Sequence, residues 1–159
     1  MRFFALADGR LACFQGGEEA GAARVRAARI HDDAEGAAPI MRLPHAGYQK
    51  LSGAGIEVVV DVGAPATGVF SQAACAQTLA LEILCGRDRL VTNTGWSPRV
   101  PTAQAQRLTD AGSTVSLGKH SAGHPLSGAI GRELGPRLIG GAVEVKARRG
   151  EAPAGLWLE

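Results

Sequence analysis

Apolar residues recur at every second position in several separate stretches of this chain, and that period of two constrains the fold more than any other feature. Ile56, Val58 and Val60 alternate with Glu57, Val59 and Asp61, and the run stops at Gly63-Ala64-Pro65. Leu79, Leu81, Ile83 and Cys85 alternate with Ala80, Glu82 and Leu84 up to Gly86-Arg87-Asp88, and Leu90-Val91-Thr92 follows. Successive side chains on a strand point to opposite faces, so these runs read as strands, and the short break between the last two predicts a hairpin. Residues 113–117 and 143–146 repeat the alternation. So do the shorter runs 3–6 and 11–14, which the Asp8-Gly9 turn would pair.

Two stretches read as helix. Residues 18–32 are rich in Ala and Arg, with acidic residues at the start and Ala22, Val25 and Arg29 spaced for one face. Residues 102–108 form the second, with Thr102 as its N-cap after Pro101. Strands separated by turn signals dominate, so the expected class is mainly β, an antiparallel β-sandwich with one or two short helices. Neither an internal repeat nor a linker breaks the chain, and one domain over residues 1–159 is expected.

Composition narrows the function classes. A chain of 159 residues with 45% hydrophobic and 20% charged residues can bury a core and is not disordered overall. The 22 glycines and 4% aromatics imply turns and small-residue packing, in keeping with a GC-rich bacterial gene. A net charge of +2 does not suggest a nucleic-acid partner, and Lys146, Arg148 and Arg149 read as one solvated strand face. No stretch approaches the roughly 20 apolar residues of a membrane span, so no membrane partner is expected. The apolar opening ends at Asp8, too early for an export signal, which makes the cytoplasm the default location. Cys13, Cys75 and Cys85 are odd in number and lack CxxC spacing, so reduced thiols are expected. The closing Gly155-Leu156-Trp157-Leu158-Glu159 reads as a strand in need of a neighbour, inside the domain, in another copy, or in a longer protein.

Several segments, in order, resemble the β-sandwich region of heparinase II/III-like polysaccharide lyases. They are Arg2-Phe3-Phe4 with Asp8-Gly9-Arg10-Leu11-Ala12, then Pro44-His45-Ala46-Gly47-Tyr48-Gln49-Lys50-Leu51, then Val59-Val60-Asp61-Val62-Gly63-Ala64-Pro65. Residues 76–83, Gly86-Arg87 and 90–95 carry the longest match, and Ser113-Thr114-Val115 and 155–159 complete it. The resemblance implies a supersandwich-like fold of the lyase C-terminal type, which leaves truncation at both ends open. It also implies an α-toroid domain or partner chain that supplies the other half of an active-site cleft. Such lyases cleave uronic-acid polysaccharides by β-elimination, with Tyr or His as the base and a polar group or metal stabilising the developing charge.

Read position by position, the resemblance also implies loss. Where the family pattern has metal-binding or catalytic side chains, this sequence has Cys75, Asn93 and Gly112, with Ala73 in place of a further His. Asn is a poor zinc ligand and Gly offers no side chain, so no metal or other cofactor is expected. Tyr48 and His45 remain as weak catalytic candidates, against the alternative that Tyr48 only packs at a sheet surface. Trp96, with Arg99 beside it, is the candidate sugar platform, whereas Trp157 reads as core or interface. His120 and His124 suit a metal only on a helix, and Ser-Ala-Gly between them with Pro125 after them predicts a solvated loop.

Two readings follow. The chain is a lyase-type sandwich, inactive alone and acting on acidic polysaccharide only with a toroid. Alternatively it is a non-catalytic sandwich for carbohydrate binding, interaction or structure, with self-association through edge strands as a further expectation.

Overall fold

A computed structural model describes residues 1–33, 36–96, 101–140 and 143–159. Among them the regular elements are a helix α1 (Ala22–Arg29), strands β1 (Arg42–Leu43), β2 (Tyr48–Gly53), β3 (Ile56–Asp61), β4 (Leu81–Cys85), β5 (Asp88–Val91) and β6 (His124–Pro125), a helix α2 (Gly128–Leu134), and strands β7 (Leu138–Ile139), β8 (Arg149–Ala152) and β9 (Gly155–Leu158). Strands β1 to β5 form one antiparallel sheet in sequence order, while β6–β7 and β8–β9 are two-stranded ribbons. The fold is therefore mainly β and antiparallel, as the alternation predicts, but the sandwich is not closed by a second full sheet. No helix of the described residues is long and apolar enough to cross a membrane.

Turn chemistry sets the register. Ala54 and Gly55 both have positive φ between β2 and β3, the tight hairpin form that matches strand twist. Gly86, also at positive φ, opens the β4–β5 turn, and its N–H donates to the Gly55 carbonyl at 2.7 Å. Facing positions then follow: Lys50, Val59 and Glu82 share one face, and Leu51, Val58 and Ile83 share the other.

The first of these faces holds the core. Phe3, Leu6 and Ala12 lie on it against Val59 and Leu84, with Phe4, Phe14, Leu43 and Tyr48 around them. The covering segment is less regular than the hairpin expected from runs 3–6 and 11–14. Residues Arg2–Phe4 form a 3-10 turn, and one bridge, Ala5 to Leu11, spans the Asp8-Gly9 turn. Charged groups enter this layer in pairs. Lys50 Nζ donates to the Ala5 carbonyl at 2.8 Å and lies 3.5 Å from Glu57. Arg89 meets Asp8 at 2.7 Å and Glu82 at 3.3 Å, and Glu82 also accepts from Thr92 Oγ1. Pairing of this kind is what makes buried charge tolerable.

Other expectations need correction. The helix expected over 18–32 is limited to α1, because Gly21 before it is extended (ψ 145°) and Glu19 pairs with Arg10. The helix expected over 102–108 is a 3-10 segment, Pro101–Arg107, which ends before Leu108. Residues 113–117 form no named strand: Ser113 and Thr114 are tethered by their hydroxyls to the carbonyls of Leu81 and Thr78, leaving Val115 and Leu117 exposed. Residues 143–146 form none either, and the exposed Lys146 pairs with Glu144 at 3.2 Å. The closing strand does find a neighbour, since β9 pairs with β8 and lies beside β2.

Candidate functional site

Strand register brings the first candidate side chain to its partner. Tyr48 on β2 stands directly opposite Asp61 on β3, on the covered face. The Tyr48 ring is wedged between Phe4 and Phe14, with centroids 5.0 and 5.2 Å away, and its hydroxyl hydrogen-bonds the Asp61 carboxylate. Asp61 also accepts from the Gly63 N–H at 3.0 Å and from Gln15 Nε2 at 2.9 Å. The other end of the Gln15 amide accepts from the Cys75 N–H at 2.9 Å. Gln15 has φ +51°, a costly backbone state for this residue type, and these two bonds hold it there. The network floors an opening of about 360 Å³, whose walls are mostly alanine and whose rim carries Phe70, 89% exposed.

The electrostatics of this network oppose catalysis by its members. Burial, reinforced by the Asp61 charge, pushes the Tyr48 hydroxyl well above its ordinary range. Burial lifts the Cys75 thiol to about 11, against a smaller pull from Arg107. Asp61 is also raised by burial, against the hydrogen bonds from Gln15, Gly63 and Tyr48. A general base must be deprotonated near the working pH and a cysteine nucleophile must be a thiolate, so Tyr48 and Cys75 are held in the wrong states. His45 stands exposed in the turn before β2, outside the residues that line the opening.

The positions expected to have lost a metal site are in use for other work. Asn93 Oδ1 accepts from both the N–H (3.0 Å) and the hydroxyl (2.8 Å) of Ser113, and its own N–H donates to Glu82. Gly112 lies beside Ser113, and a Cβ there would fall 2.7 Å from Gln77 Cγ, so Gln77 fills the space a larger side chain would need. Cys75 is tied instead to Gln15. Position 112 has no donor and Asn93 has its acceptor occupied, so these three residues do not fit a metal ion. Among the described residues no three His, Cys, Asp or Glu side chains come together as a metal site.

Residues 35–159 match the profile of the heparinase II/III-like, C-terminal family. This chain belongs to that family. It is also 51% identical over 158 residues to FtsZ-localized protein C of Caulobacter vibrioides (strain NA1000 / CB15N). That match covers 99% of this chain and 27% of the relative's length. No solved structure matches.

Within this heparinase II/III-like domain the expected sugar platform turns out to be core. Trp96 is only 3% exposed, and the Arg107 guanidinium stacks on its ring at 4.7 Å. Arg107 is fully buried and donates to the carbonyls of Ala74, Ser71 and Pro136 and to Gln104, tying residues 71–74 and Pro136 to its own 3-10 segment beside the indole. A tryptophan packed this way offers no face to a sugar, which corrects the expectation for Trp96; its companion Arg99 lies outside the described residues. His120 and His124 are both exposed and off any helix, one in a bridge with Leu117 and one in β6.

Sequence reasoning missed Phe70 and Arg107. Phe70 lies in the short 3-10 turn Gly68–Ser71 and is 89% exposed, which no local pattern in the sequence marks. Arg107 looks like one more surface base on a short helix, and nothing in its spacing betrays a guanidinium at zero exposure.

Proposed function

We propose that this heparinase II/III-like domain is a non-catalytic interaction module that acts in an FtsZ-associated assembly rather than as a lyase. The relative at 51% identity, named for localisation with FtsZ, carries this reading. The site chemistry supports it: Tyr48 and Cys75 are held protonated, and positions 75, 93 and 112 do not fit a metal. Cytoplasmic residence belongs to the same proposal. The test is co-sedimentation of the purified chain with polymerised FtsZ, beside an ultraviolet assay for unsaturated uronate on acidic polysaccharides. Pelleting with polymer and a flat absorbance trace are expected. A chain that stays in the supernatant, or an absorbance gain, overturns the reading.

A second reading, retained carbohydrate binding, has one observation in its favour. Phe70 overhangs the opening floored by Asp61, Gln15 and Tyr48, an aromatic beside polar hydrogen-bonding groups. An Asp and no Lys or Arg among the lining residues disfavours a uronate and favours a neutral sugar. Titration calorimetry with neutral and acidic oligosaccharides against the wild type and Phe70→Ala tests this. Binding of neutral sugar that Phe70→Ala weakens supports it, and no binding, or equal binding by both proteins, rejects it.

A further inference from the structure

The second face of the five-stranded sheet is mainly aliphatic and partly exposed, with Gln49 buried on it between Arg42 and Val60. Leu51, Ile56, Val58, Val60, Leu81 and Ile83 all point to it by register, and none is buried. Ile56 is 44% exposed. The β8–β9 ribbon covers one corner only, leaving a groove of about 550 Å³ between Leu51, Ile56 and Val58 on one side and Leu156, 41% exposed, on the other.

We propose that this face seats a second copy of the same chain, packed sheet against sheet. Three features choose that occupant. The strand side chains at the centre of the face carry no charge, Gln49 there is buried and Glu151 stands only at the ribbon side of the groove, so a mainly apolar partner fits, and another copy of this face is such a surface. The five strands, two to six residues long and 23 residues in all, at about 3.3 Å per residue and about 4.8 Å between strands give a projected area on the order of 360 Å². The ribbon rim extends it towards the roughly 800 Å² per partner of a stable interface. Its corners are complementary as well. Arg42, paired with Gln49 at the β1 edge, and Asp88, paired with Cys85 at the β5 edge, lie on this face at diagonally opposite corners. Neither is in an ion pair with a described residue. A two-fold axis presents the same patch from both copies, so each corner charge can meet its opposite. This route uses the sheet face and differs from the edge-strand pairing expected from sequence.

Sedimentation velocity between 1 and 200 µM tests the proposal on the wild type, Ile56→Lys, Arg42→Glu, and Arg42→Glu with Asp88→Arg. The wild type should approach twice the 16.4 kDa chain mass as concentration rises. Ile56→Lys should remain a monomer with an unchanged circular dichroism spectrum. Arg42→Glu removes both symmetry-related pairs and should weaken the dimer about thirty-fold, the effect of about 1 kcal/mol from each exposed pair, and the double variant should recover it. A wild type that is monomeric at 200 µM overturns the proposal. So does a larger assembly that Ile56→Lys leaves intact, or a Val58→Cys variant shielded from thiol reagent only when cell extract is added, which would mean that another protein covers the face.

Discussion

The two faces of the five-stranded sheet come from the same strands and have opposite characters. One carries Lys50, Glu57, Asp61, Glu82 and Arg89 among its side chains and lies under the N-terminal segment; the other is mainly aliphatic and partly exposed, with Gln49 buried on it and Arg42 and Asp88 at its corners. Hydrophobicity alone would bury the second. What buries the first is the aromatic cluster of Phe3, Phe4, Phe14 and Tyr48, together with the Lys50–Glu57 pair, the Arg89 shared by Asp8 and Glu82, and the hydrogen bonds that hold Asp61. The aliphatic face is left as contact surface, and large exposed apolar patches on a protein usually mark such surfaces.

Breaking the charge pairing should have the largest effect. Arg89→Ala leaves Asp8 and Glu82 without their shared cation in a covered layer, and should cost about 3–5 kcal/mol in urea unfolding. Truncation of neighbours on opposite faces comes next. Leu84→Ala, 1% exposed in the core, should cost about 3 kcal/mol, whereas Ile83→Ala should cost under about 1.5 kcal/mol at concentrations where the chain is a monomer.

The two aspartates of the covered layer should respond to acid with opposite signs. Burial acts to raise Asp8, but the Arg89 hydrogen bond, the Arg10 N–H and both guanidinium charges outweigh it and lower its pKa. Its stabilisation is present above the ordinary carboxylate pKa and is lost as pH falls through the depressed value. Asp61 is raised, so its ionisation disfavours the fold, and that penalty is relieved as pH falls through the raised value. Urea midpoints across pH 3–7 should therefore drop less on acidification in Asp8→Asn than in the wild type, and drop more in Asp61→Asn. The smallest effect lies at the turn that sets both faces. Ala54 pays for a positive φ that Asn adopts more readily, so Ala54→Asn should add about 0.5–1 kcal/mol to thermal stability.

Much of this was legible in the sequence, and the limits have physical causes. Alternation located β3, β4 and β5 and their turns, because a strand between turn residues is a local property. It could not say which face would be covered, because that depends on where residues 3–14 lie and on the partners that Glu57, Asp61 and Glu82 find there. Residues 113–117 misled for a related reason: hydroxyl groups at 113 and 114 satisfy distant carbonyls in place of a ladder. The replaced ligand positions were readable one at a time, but the side chain that fills the gap at Gly112, Gln77, lies 35 residues away and is a tertiary fact.

The most direct measurement compares thiol reactivity at two adjacent positions, after Cys85, the exposed native thiol, is replaced by Ser. Val59→Cys sits on the covered face and Val58→Cys on the open one, one residue apart on β3. Cysteine at 59 should stay unreactive at every protein concentration until the chain unfolds. Cysteine at 58 should react readily in dilute solution and become protected as concentration rises into the dimer range. Equal reactivity at the two positions, or a rate at 58 that ignores concentration, would contradict the account.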